Sequence, residues 1–228
     1  MKTKRVFRVS KPREAVDPAL RPRILEAARD LFFSRGFVRV TADEIAARLG
    51  ISKATLYRSF PSKEAILQAA VRGIMSEIGA SVEGILADAR LSFVEKLVAL
   101  FTYVGGRISQ FGPILVRDIQ KSAPQIWKEI DDFRRDKILK NFKGILESGR
   151  REGLFRGDVK ADLLLEMFAD LIGRFINPEA ILRSGRSPAE TFESVVKVFF
   201  QGILSDKGRQ DFSARTPALF EPRKEGAS

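Results

Sequence analysis

The side chains best suited to chemistry lie in one stretch, ISKATLYRSFPSKE, residues 51–64. It sets hydroxyls at Ser52, Thr55, Tyr57 and Ser59 among cations at Lys53, Arg58 and Lys63. Groups of these types bond phosphate oxygens and the edges of nucleic-acid bases. They are poorly equipped for catalysis. The 228 residues contain no histidine and no cysteine, which removes the commonest general base, thiolate nucleophiles, disulfides and nearly all zinc sites. No paired-carboxylate motif, phosphate-cradling glycine loop or nucleophile elbow occurs either. The expectation is therefore no catalytic residue, no metal, no cofactor and no enzyme.

Charge distribution points the same way. The formal net charge is +11, and residues 1–63 hold fifteen Lys and Arg against six acids. The other 165 residues are almost balanced, with twenty-five cations against twenty-three acids. A basic N-terminal region beside a near-neutral remainder implies an anionic macromolecular partner for that region. No apolar run approaches the length that crosses a bilayer. MKTKRVFRVSKPR lacks the apolar centre of a secretory signal, so no membrane role and a cytoplasmic address are expected.

Helices must position the chemical stretch. Residues 1–17 show no periodicity and read as a flexible basic arm, whose Arg5 and Arg8 either enter a minor groove or belong to a non-specific tail. A first helix begins near Pro22, with Ile24, Ala27, Ala28, Leu31 and Phe32 on one face and Gly36 as its stop. TADE, 41–44, is a capping box that starts a second, ended by Gly50. Ser52 caps a third helix of about eight residues, and Pro61 stops it. Ser62 caps a fourth that runs through Ile66, Leu67, Ala70, Ile74 and Ile78. Two short helices joined by a glycine-containing turn are a helix-turn-helix. With Leu56 and Phe60 turned inward at i, i+4, the third helix presents Lys53, Thr55, Tyr57, Arg58 and Ser59 outward to DNA.

Residues 36–67, GFVRVTADEIAARLGISKATLYRSFPSKEAIL, resemble the DNA-binding segment of TetR/AcrR-type transcriptional regulators. The resemblance covers about 47 residues, from near Pro18 to Glu64. It implies a phosphate contact for Thr41, backbone or base contacts for Thr55 and Tyr57, and a phosphate clamp for Lys63. Lys53 and Arg58 fall at positions that vary in the family and are the expected base readers. Ser52 joins them as the cap of the reading helix. Ser59 departs from the pattern, which usually has an aromatic residue or His there.

Beyond residue 80 the punctuation suggests five or six more helices, broken near Gly105-Gly106, Gly112-Pro113, Ala123-Pro124, Gly153–Gly157, Asn177-Pro178 and Ser187-Pro188. The longest spans about 124–150. Segments 163–176 and 192–204 are apolar around most of their circumference and want a second surface. The family resemblance implies that these last helices pair with their mates in a twofold dimer on a near-palindromic operator. The expected interface is Leu164, Phe168, Leu171, Phe175, Val195, Phe199 and Ile203. Phe101, Tyr103, Phe111, Trp127, Phe133, Phe142, Phe168 and Phe175, with Arg107 and Arg174, are candidates to line a site for an apolar or aromatic small-molecule effector.

The sequence thus reads as all-α: a three-helix DNA-binding domain at 18–64, a larger ligand-binding and dimerisation domain at 65–205, and a mobile tail at 206–228. The leading function is an effector-released repressor. A DNA organiser without an effector, and an enzyme or protein-binding platform in the larger domain, stand as alternatives.

Overall fold

The computed structural model describes residues 18–175, 180, 185 and 187–215. Among them are α1 (Leu20–Arg35), α2 (Ala42–Arg48), α3 (Lys53–Ser59), α4 (Lys63–Ala87) and α5 (Phe93–Gln110). There follow α6 (Pro113–Ser122), α7 (Pro124–Arg151), α8 (Ala161–Phe175), α9 (Pro188–Ile203) and α10 (Asp206–Arg215). The fold is all-α; the described residues form no sheet, and one antiparallel bridge joins Phe155 to Leu204.

Capping fixes the short helices, which are below the length at which propensity alone holds a helix in water. Thr41 Oγ1 accepts from Glu44 N, and Glu44 returns a carboxylate oxygen to the Thr41 N–H at 2.7 Å. Ser52 and Ser62 cap α3 and α4 through the backbone N–H groups of Thr55 and Ala65. The α1–α2 turn needs glycine on two counts: Gly36 has φ 85°, and a Cβ there would lie 2.6 Å from Asp118 Oδ2.

Two apolar clusters hold the helices. The first gathers Ile24, Phe32, Val40, Ile45, Leu56 and Ile66, each at most 1% exposed, and each such burial contributes roughly 1.5–3 kcal/mol. It also takes in Leu67 and Val71 of α4, Leu115 and Ile119 of α6, and Ala123 and Ile126 at the α6–α7 junction. The N-terminal head therefore has no core of its own that closes at residue 64. The second cluster joins α5, α7, α8, α9 and α10 around Leu97, Phe142, Leu146, Phe168 and Phe200.

Three expectations are corrected. Gly105-Gly106 does not break α5, because burying Leu97, Leu100 and their neighbours outweighs the roughly 1 kcal/mol that a helical glycine costs relative to alanine. The tail does not begin at 206. Residues 206–215 form α10, whose Phe212 is buried and whose Lys207 Nζ donates to Glu152 O at 2.7 Å. Ser205 holds its start, accepting from Gly208 N at 3.0 Å and donating from its own N–H to Leu154 O at 2.9 Å. The expected dimer face is the third. Leu164, Phe168, Phe199 and Ile203 lie in the subunit's own core, Leu171 and Val195 pack against it, and only Phe175 is exposed. Apolar residues are not confined to one face of either helix, and the bulkier stripe turned inward. The large apolar side chains left outside on α8 and α9 are Leu163, Met167, Phe175 and Val198, the last 72% exposed. The arm at 1–17, the Asn177-Pro178 break and residues 216–228 lie outside the described residues.

Candidate nucleic-acid interface and apolar cavity

Leu56 and Phe60 anchor α3 in the head and leave Lys53, Tyr57 and Arg58 exposed. The Tyr57 hydroxyl has no hydrogen bond among the described residues and is available. A groove of about 560 Å³ separates the N-termini of α2 and α4 from α3 and is lined by Thr41, Lys53, Tyr57 and Lys63, with Asp43 and Glu64. Four of the seven expected DNA-contacting residues thus share one groove, while Ser52, Thr55 and Arg58 lie outside its lining. Ser52 Oγ and Thr55 Oγ1 are 2.9 Å apart, and Arg58 Nη2 donates to Thr55 Oγ1 at 3.1 Å.

Two cations have prior engagements. Lys53 Nζ donates to Asp43 Oδ2 at 2.8 Å, and that hydrogen bond raises its pKa. In this arrangement Asp43 must release Lys53 before it can reach a base. Lys63 Nζ donates to Phe37 O at 3.0 Å and Val40 O at 2.9 Å, and sits 4.3 Å from the Phe37 ring centroid. Two of its three N–H bonds therefore buckle the α1–α2 turn to α4, leaving one for a phosphate.

Ser59 is not on the outward face; it is 6% exposed. Its carbonyl accepts from Arg21 Nη1 at 2.5 Å, and the Arg21 guanidinium lies 4.1 Å from the Phe60 ring centroid. Nothing in the sequence singles out Arg21, whose place in the first turn of α1 gives no sign of contact with a residue thirty-eight positions away. Asp118 of α6 ties the head to the larger part of the molecule, accepting from Val38 N at 2.9 Å.

An apolar cavity of about 310 Å³ lies between the two clusters. Phe101, Phe111, Trp127, Phe133, Phe142 and Phe168 line it, as the sequence suggested; Tyr103, Arg107, Arg174 and Phe175 do not. Tyr103 packs on the larger core, Arg107 pairs with Glu77 at 3.2 Å, and Arg174 and Phe175 are exposed at the end of α8. Phe32 and Phe33 of α1 and Ile74 and Ile78 of α4 complete the wall. In the sequence these read as ordinary helix-face residues, indistinguishable from core. Among the described residues no group of three or more His, Cys, Asp or Glu could hold a metal ion, and no helix is long and apolar enough to cross a membrane.

A short helix that turns Lys53, Tyr57 and Arg58 outward, seated in a capped three-helix head, defines a helix-turn-helix DNA-binding transcriptional regulator. The sequence profile described as bacterial regulatory proteins, tetR family, matches residues 24–70. The chain is similar to the HTH-type transcriptional regulator YvaF of Bacillus subtilis (strain 168), with 26% identity over 188 residues, 81% of this chain and 96% of YvaF. It is 30% identical over 159 residues to YdeS of the same organism, another HTH-type transcriptional regulator, covering 65% of this chain and 72% of YdeS. Among solved structures it is similar to Thermus thermophilus FadR, a TetR-family transcriptional repressor in complex with lauroyl-CoA. That match has a TM-score of 0.52 and 26% identity, over 81% of this chain and 95% of FadR. This chain belongs to the TetR family of transcriptional regulators.

Proposed function

We propose that the protein is a homodimeric repressor that leaves a near-palindromic operator when an apolar small molecule enters the cavity. The observation that carries this reading is the shared wall: Phe32 and Phe33 of α1 line the same cavity as Phe142 and Phe168 of the larger core. A molecule in the cavity touches the DNA-binding head directly. To cause release it must bind the DNA-incompetent arrangement more tightly, since equal affinity for both shifts nothing. FadR, bound to lauroyl-CoA, supports an effector with an apolar chain.

Thr41, Ser52, Lys53, Thr55, Tyr57 and Arg58 are assigned to the operator, with Lys63 contributing its remaining N–H. The dimer forms through the outer stripe of α8 and α9, with Leu163, Met167 and Val198 at its centre, because these are large apolar side chains left in water. Twofold pairing places two reading helices about one DNA turn apart. The address follows from the role: a DNA regulator of this kind works in the cytoplasm.

The test is fluorescence anisotropy on the intergenic DNA beside the protein's own gene, with excess random competitor. Tyr57→Ala is expected to keep the thermal stability, since the side chain is 39% exposed, and to lose specific binding by about tenfold or more. A variant that binds operator as well as the wild type would remove Tyr57 from the interface. No release by any apolar compound that binds the cavity would refute effector control.

A further inference from the structure

The polar atoms around the cavity are unequal in sign. Arg29, Arg134, Lys137 and Asn141 are its polar lining residues; no Asp or Glu lines it. Arg134 is paired with Asp131, and Lys137 with Glu83 at 2.7 Å. The end formed by α1, α4 and α5 is different. There Arg29 Nη1 is 3.1 Å from Glu77 Oε1, and Arg107 Nη2 is 3.2 Å from Glu77 Oε2. One carboxylate serves two guanidiniums. Arg107 Nη1 donates to Gln110 Oε1 at 3.2 Å, a neutral acceptor, and Arg107 Nε is buried with no hydrogen-bond partner. A buried donor without a partner, beside an uncompensated positive charge, is costly unless an acceptor arrives. Glu77 itself is 53% exposed, so it can swing into water at little cost.

We propose that the effector is an anionic amphiphile, whose apolar body fills the cavity and whose anionic head emerges beside the lining residue Arg29, displaces Glu77 and so reaches Arg107, which stands behind Glu77 just outside the lining. This rests on the reading of the cavity as the effector site. At about 30 Å³ per heavy atom, the share of a liquid water, the cavity admits about ten such atoms. That makes a ten-carbon carboxylate the simplest probe. Because Arg29 is on α1 and Glu77 on α4, the arriving anion exchanges an ion pair between α1 and α4 for a contact with the ligand. The charge that anchors the effector thus also removes one ion pair from the α1–α4 contact, whose apolar packing remains.

Trp127 is the one tryptophan of the chain and lines the cavity, so its fluorescence reports occupancy. The experiment titrates the full-length protein with decanoate, decanol and decyltrimethylammonium, each below its micelle concentration, and repeats the titration on Arg107→Gln, Arg107→Lys and Lys143→Gln. Decanoate is expected to bind the wild type about tenfold or more tightly than decanol, from one charge-assisted hydrogen bond, and the cation more weakly than either. Arg107→Gln should bring decanoate down to decanol. Arg107→Lys should keep a preference for the anion, which a misfolded variant would not. Lys143→Gln, an exposed charge change on α7 outside the cavity lining, should leave the preference intact. Equal binding of decanol and decanoate by the wild type, or a preference that survives in Arg107→Gln, overturns the anionic head while leaving an apolar effector in place. Silence of Trp127 with all three compounds overturns the aliphatic anion, and the operator-release reading then stands or falls on its own anisotropy assay.

Discussion

Replacing Lys63 with methionine separates two roles that its position allows. Methionine keeps an apolar stem over the Phe37 ring but loses the ammonium that bonds Phe37 O and Val40 O. Each bond from a charged donor to a carbonyl is worth about 1.5–3 kcal/mol when buried. Lys63 is half-buried and water can reach the freed carbonyls, so about 1 kcal/mol apiece is the better figure. Losing the cation over the ring adds about 0.5 kcal/mol at a partly exposed site. The total, about 2.5 kcal/mol, should lower the melting temperature by roughly 5–10 °C for a chain of this size. If Lys63 acts chiefly as a buckle, the salt dependence of operator binding should keep its slope once the variant is measured below its melting temperature. A pure phosphate contact behaves oppositely: an unchanged melting temperature with the log-log salt slope of the dimer smaller by about 1.8, one phosphate contact being lost from each subunit. Calorimetry and anisotropy at four salt concentrations distinguish them, and an unchanged melting temperature would refute the buckle.

Other perturbations follow from the same geometry. Val198→Arg puts charge on the outer stripe of α9 without touching the subunit core, and should convert a dimer to a monomer in sedimentation velocity; an unchanged dimer would place the interface elsewhere. Glu44 has its pKa lowered below 4.5, first by the Thr41 backbone N–H and then by the Thr41 hydroxyl. A depressed carboxylate stabilises the fold above its unfolded pKa and ceases to as the pH falls through the folded value. Glu44→Gln should therefore melt below the wild type at pH 7, and the two curves should converge as the pH falls below the ordinary carboxylate range; a constant gap would mean the charge is irrelevant to the cap. Wild-type operator affinity should fall steeply with salt, with a log-log slope near −5 for about six phosphates neutralised, and a flat response would contradict the basic head.

The head was legible because its boundaries are set by local chemistry. Thr41 with Glu44, Ser52, Pro61 and Ser62 each act within a few residues, so their pattern is visible in the sequence and recurs in the structure. What the sequence concealed depends on partners far along the chain. Ser59 looks like a surface hydroxyl until Arg21 arrives from α1. Lys63 looks like a free cation until the turn at Phe37–Val40 folds over it. Apolar residues occur on more than one face of α8 and α9, and composition does not say that Phe168 and Phe199 turn inward while Met167 and Val198 stay in water. For α10 the periodic signal is weak, since Phe212 is its one large apolar residue; contacts with the α7–α8 connection hold it.

The cluster that encloses Leu115, Ile119 and Ile126 together with Phe32 and Ile66 bears on how this protein can be recombined. Residue 64 is a natural place to cut if the chain is viewed as two beads on a string. A chimera cut there would pair the α1–α3 bead with a foreign α6, and every mismatch in that seam would be felt as a cavity or a clash against α1 and the α1–α2 turn. A transferable reading head for this regulator is therefore discontinuous: it consists of residues 18–71 plus the 113–126 segment, and specificity grafts should carry both pieces or neither.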